Sequence, residues 1–183
     1  MRFTAVLTVL MASVASCQMS ESWGKAKTTI NGPLATSAKA LGDEVTKLSG
    51  MAAGGTSINL GEMKKLMNGY SDNWKAAGND MKGINKVTDE VDICTVFPPA
   101  VEAFVALLGP WADLGEKAAA LDKKGLVNHN DGGKLLLRPL QLNVQDTVNI
   151  VKKKGINCGG KLDIQLPRLF SPVGNKWVWA LKK

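Results

Sequence analysis

Few residues in this chain could carry chemistry. It has three cysteines and one histidine in 183 residues. His129 sits in a turn-rich loop, Asn128-His-Asn-Asp-Gly-Gly133. A lone imidazole can act as a base, but a Ser-His-Asp arrangement also needs a positioned nucleophile, and no nucleophile elbow is present. Metal binding is poorly supported, because there is no Cys-x-x-Cys and only one His. The loop lacks the alternating acids and terminal Glu of a calcium loop. The pairs Asp43-Glu44 and Asp89-Glu90 are sequence neighbours, and neighbours on a helix diverge by about 100°. Gly54-Gly55 and Gly132-Gly133 lack the strand-turn-helix context of a phosphate cradle. The reading is a protein with no catalytic residues, no metal site and no cofactor.

Cys94 and Cys158 are expected to form a disulfide, because the first residues read as an export leader. Met1–Cys17 has one basic residue, Arg2, then a short apolar core, then small residues. That core is shorter than the ~20 residues a spanning helix needs. Export places the cysteines in an oxidising compartment, where they pair. Cleavage after Cys17 leaves two cysteines and cleavage after Ser16 leaves three. Val14-Ala-Ser-Cys17 also resembles a bacterial lipoprotein box, in which Cys17 would be acylated. The expected localisation is secreted, extracellular or cell-wall associated.

The elements that must position these residues follow from composition. Hydrophobic residues make up 45% of the chain and aromatics 5%, so Ala, Leu, Val and Met must fill the interior, which favours helices. The formal charge is +7; Arg2 carries one of these charges, leaving +6 after leader removal. That sign suits an anionic surface such as phospholipid, acidic glycan or a cell wall, or simply keeps the protein soluble. Nucleic acid is not expected, since lysines are scattered and only Arg138 and Arg168 remain beyond the leader.

Periodicity predicts four helices. Ile30, Leu34, Ala38, Leu41, Val45 and Leu48 mark a first helix over about 29–49, with an onset at Pro33 equally allowed, preceded by a polar, ragged 18–29. Met63, Met67, Tyr70, Trp74, Ala77, Met81, Ile84, Val87 and Val91 mark a long second region over 60–94, with a break near 85–89. There Asp89, Glu90 and Asp92 would oppose the dipole of a helix end. Cys94 through the double proline Pro98-Pro99 starts a third helix, which runs to Lys124 and bends at Pro110. Val101, Phe104, Val105, Leu108, Trp111, Leu114, Ala118 and Leu121 form its stripe. The fourth covers 134–154, on Leu137, Leu140, Val144, Val148 and Val151. The fold expected is all-α: an antiparallel four- to five-helix bundle with kinked helices and one disulfide. Its parts are a signal peptide (1–17), a bundle domain (18–158) and an irregular C-terminal tail (159–183).

Two sets of residues suggest binding. Met67, Tyr70, Trp74, Phe104, Trp111 and Leu140 project from three helices and would either line an apolar ligand cavity or form an ordinary core. Trp177, Trp179, Lys182 and Lys183 pair indoles with cations. Such pairs favour a water–apolar interface, and the alternative is a packed strap.

The stretch Phe97-Pro-Pro-Ala-Val-Glu-Ala-Phe-Val-Ala-Leu-Leu-Gly-Pro-Trp-Ala-Asp-Leu-Gly-Glu-Lys-Ala-Ala-Ala-Leu-Asp-Lys-Lys124, with the helix Ile30…Leu34…Leu41…Leu48, resembles the fungal hydrophobic surface-binding protein family, which overlaps cell-wall galactomannoprotein-type proteins. The similarity covers roughly 29–154. The Cys94/Cys158 pair, the long tail and the scarcity of Ser and Thr depart from that family's pattern. The resemblance implies a secreted helical bundle that adsorbs to hydrophobic surfaces or holds a lipid, without catalysis. Expected partners are therefore a lipid or hydrophobic surface and cell-wall polysaccharide. The alternative is an effector or inhibitor acting on a protein partner.

Overall fold

The computed structural model describes residues 19–182, without the side chain of Lys182; the leader, Cys17 and Lys183 lie outside the described residues. The fold is all-α, with the Cys94–Cys158 disulfide formed. Helix α1 (Glu21–Thr29) passes through a π-turn (Ile30–Leu34) into α2 (Ala35–Ala53). Pro33 explains that turn. It has no N–H to give the Thr29 carbonyl, and the ladder resumes when the Ala35 N–H bonds Ile30, five residues back.

The chain before Thr29 is thus helical rather than ragged. Ser20 caps α1 by accepting from the Trp23 N–H. Trp23 is fully buried, and its indole donates to Asp92 at 2.6 Å. These long-range bonds, which local polarity does not reveal, hold the segment in place.

Helix α3 (Gly61–Met81) keeps the expected stripe: Met63, Met67, Tyr70, Trp74, Ala77 and Met81 are all buried. The break falls at 82–85, slightly earlier than expected, and α4 (Lys86–Asp122) begins there as a single 37-residue helix. The break resets the helical phase. Val87 and Val91, assigned by periodicity to the α3 stripe, therefore face outward at 85% and 84% exposure. The acids 89–92 lie at the start of α4, where the dipole favours them. Asn85 caps by accepting from Val87, and the Asp89 carboxylate accepts back from the Asn85 N–H.

Pro98 and Pro99 do not start a helix but sit within α4, as does Pro110. Each leaves a carbonyl four residues earlier without its helical donor, a cost of roughly 3 kcal/mol in an exposed helix. Tertiary burial offsets it: Phe97, Val101, Phe104, Trp111, Leu114 and Ala118 are fully enclosed.

A two-residue parallel bridge, β1 (Ile58–Asn59) with β2 (Val127–Asn128), ties the entry of α3 to the exit of α4. Helix α5 (Leu137–Lys153) packs along α3, and Gly78 permits that approach. A Cβ there would lie 2.6 Å from Thr147 Oγ1.

The C-terminal tail is a helix, α6 (Leu166–Trp177), where an irregular strap was expected. Leu166, Phe170, Val173 and Trp177 are buried at spacings of four, three and four, and α6 packs on α4. Pro167 lies in the first turn, where its missing N–H costs nothing. The tail therefore completes the main core rather than standing apart from it.

Candidate functional site

An apolar groove of about 570 Å³ runs between α2 and α4. One wall is the π-turn and the first turns of α2, with Ile30, Leu34, Ala38 and Gly42. The other is the outer face of α4, with Val96, Ala100, Ala103, Ala106 and Leu107. Small residues keep it open: Ala103 and Ala106 are exposed on α4. Gly42 faces Leu107, and a Cβ there would come to 3.2 Å of Leu107 Cδ2. Pro110 leaves the Ala106 carbonyl at the groove without its helical donor. At the rim Lys39 pairs with Asp43 at 2.6 Å, both largely exposed, and such a pair contributes little stability.

Tyr70, itself fully buried, lies directly beneath the groove. Its ring packs edge-on to Trp74 and tilted against Phe104, with centroids 6.2 and 6.3 Å away. Among the described residues its buried hydroxyl has no hydrogen-bond partner, nor do the indole nitrogens of Trp74 and Trp111. Burial pushes the Tyr70 hydroxyl pKa well up, and the neighbouring Trp74 indole opposes this only in part. An orphaned buried hydroxyl costs about 1–3 kcal/mol, so the groove keeps an unused polar group beneath its apolar walls.

No protein-family model matches this chain. No curated protein and no solved structure matches it either. The family resemblance therefore rests on the residue pattern alone.

Of the six residues expected to line a cavity, Tyr70 alone reaches this groove. Met67, Trp74, Phe104, Trp111 and Leu140 are fully buried in the core. Phe104 stacks on Phe170 and Trp111 lies edge-on to it, so α6 fills the space a ligand would need there. The groove lies on the other side of α4. Its sequence signal was the second apolar row, Val96, Ala100, Ala103 and Leu107, beside the buried one.

Trp177 and Trp179 do not project as surface anchors. Trp177 is fully buried and donates to the Trp111 carbonyl at 2.9 Å. Trp179 is half-buried, donates to the Gly115 carbonyl at 3.1 Å and stacks on Trp177. Both indoles spend their N–H on α4 carbonyls, which removes the reason for an indole to seek an interface. The exposed apolar residues of this end are Leu169, Val178 and Leu181.

The groups weighed for chemistry are engaged structurally. His129 Nε2 bonds Asp122 at 2.8 Å, and no serine or cysteine hydrogen-bonds it among the described residues. Asp43 pairs with Lys39, and Glu44 with Lys47. Asp89 is fully buried and accepts from the Ser20 N–H and hydroxyl, the Asn85 N–H and the Thr88 hydroxyl. Burial alone would raise its pKa, but these four donors outweigh burial and hold it below the usual carboxylate range.

Proposed function

We propose that the protein is a secreted, non-catalytic binder of apolar ligands, which takes an aliphatic chain into the groove between α2 and α4. The observation that carries this reading is the groove itself: aliphatic walls, small residues at its mouth, and a volume within the roughly 300–1,000 Å³ usual for ligand sites. The character of α4 supports it. The helix is long and apolar enough to cross a membrane by length and composition, yet only 33% of its most apolar stretch is buried. Within that stretch Val96, Ala100 and Leu107 line the groove while packing partly against the core. The π-turn adds to this, because such bulges recur at functional sites, and here it supplies one wall. Export rests on the leader and on the disulfide, which persists in oxidising compartments. The resemblance to hydrophobic surface-binding proteins points the same way.

Native mass spectrometry of protein purified from its secreting host tests the reading. A copurified lipid that is lost on delipidation and regained from fatty-acid solution is expected. No adduct, together with no partitioning onto hydrophobic beads, would contradict it and favour action through a protein partner.

A further inference from the structure

A second pocket, of about 380 Å³, shares no residue with the groove. It lies where the start of α3, the loop after β2 and the final turn of the chain meet, with Lys64 in its wall. Lys64 is only 6% exposed. Its Nζ donates to the His129 carbonyl at 2.7 Å. Among the described residues no carboxylate comes within ion-pair distance of it. An ammonium has three N–H donors, and among the described residues one carbonyl takes only one of them. Burial pushes its pKa down, opposed at longer range by Asp131. A buried ammonium without a counter-charge is costly, and proteins usually pair such groups.

Of the acids nearby, Asp131 reaches Lys64 only as a longer-range charge, not as a contact. Asp122 is engaged by His129, and Asp131 accepts from Asn59 at 3.1 Å. Lys134 adds a second cation at the rim. The pocket also abuts the N-terminus of the 17-residue α5, whose cap position, Leu136, offers no side-chain acceptor. The positive end of that helix thus faces the same space as Lys64. Leu135, Leu136 and Leu181 form an apolar side.

We propose that this pocket binds a small oxyanion, a carboxylate or phosphate, with Lys64 as its buried counter-charge. The α5 N-terminus and Lys134 complete the field, and the leucines cover whatever apolar part the anion carries. A purely structural Lys64 would only pin the His129 loop, and its removal would change stability without changing any response to anions.

The test titrates the full mature chain with sodium phosphate and with sodium hexanoate against chloride at matched ionic strength, read by calorimetry and by amide NMR shifts of residues 129–137. Saturable binding of at least one probe is expected, with Lys64→Met weakening it about tenfold or more while the fold persists. Tighter hexanoate supports an amphiphile headgroup as the natural ligand, and tighter phosphate a free oxyanion. No saturable binding to either probe, or undiminished affinity in folded Lys64→Met, overturns the proposal. Should Lys64→Met not fold, the exposed charge reversal Lys134→Glu carries the test. Reduced affinity there supports the site, and unchanged affinity overturns it.

Discussion

The indole N–H of Trp177 donates to the backbone carbonyl of Trp111 at 2.9 Å, so a residue near the end of the chain is seated on the middle of the longest helix. The seat exists because position 115 is glycine. A Cβ there would lie 2.6 Å from Trp177 Nε1. Gly115→Ala should therefore destabilise the protein by about 1–3 kcal/mol, although alanine favours an isolated helix by about 1 kcal/mol. Urea unfolding checks this, and a gain in stability would mean that α6 does not seat as described.

Trp111 is fully buried between α4 and α6. Trp111→Ala should cost roughly 3–5 kcal/mol, with apolar-ligand affinity unchanged in whatever fraction stays folded. A near-neutral substitution that abolished binding would instead place a cavity wall at this residue.

The disulfide joins α4 to the turn before α6 and closes a loop with a sequence separation of 64. Cys94→Ser should lower stability by about 4 kcal/mol on the chain-entropy account. An unchanged thermal midpoint relative to the oxidised wild type would contradict that contribution.

Asp89 links α1 to α4 through donors at Ser20 and Asn85. Its folded pKa lies below the usual value, so the stability it contributes is fully present above an unfolded pKa of about 3.9 and is lost as pH falls through the lower folded value. Acid unfolding followed by the amide NMR signals of residues 21–29 should show α1 detaching below about pH 4. Asp89→Asn should flatten that acid limb. An identical acid profile in the variant would remove Asp89 as its source.

How much of this was legible in the sequence depends on which physical rule set each element. The stripes of α2, α3 and α5 could be read because one face of each is buried, and Leu41, Met67 and Val148 lie where period 3.6 puts them. The phase of Val87 and Val91 could not, because the break at 82–85 changes the rotation by an amount that periodicity does not encode. Pro98 and Pro99 suggested a start, since local preference disfavours proline inside a helix; burial of Phe97 and Val101 overrides it. Helix α6 was hidden by Pro167 and Pro172, which mask a short apolar series. The groove was missed for a related reason. Both rows of α4 are apolar in sequence, and only the packing of α6 determines that the Phe104–Trp111 row is covered while the Ala103–Leu107 row stays open.

Uptake of a fluorescent fatty acid by the wild type and by Ala103→Trp decides whether the groove between α2 and α4 holds an aliphatic chain. Position 103 is exposed at the groove mouth, so the indole should obstruct the site and leave the thermal midpoint nearly unchanged. Saturable uptake by the wild type is expected, with affinity reduced about tenfold or more in the variant. Equal uptake by both proteins, or none by the wild type, would contradict that role of the groove.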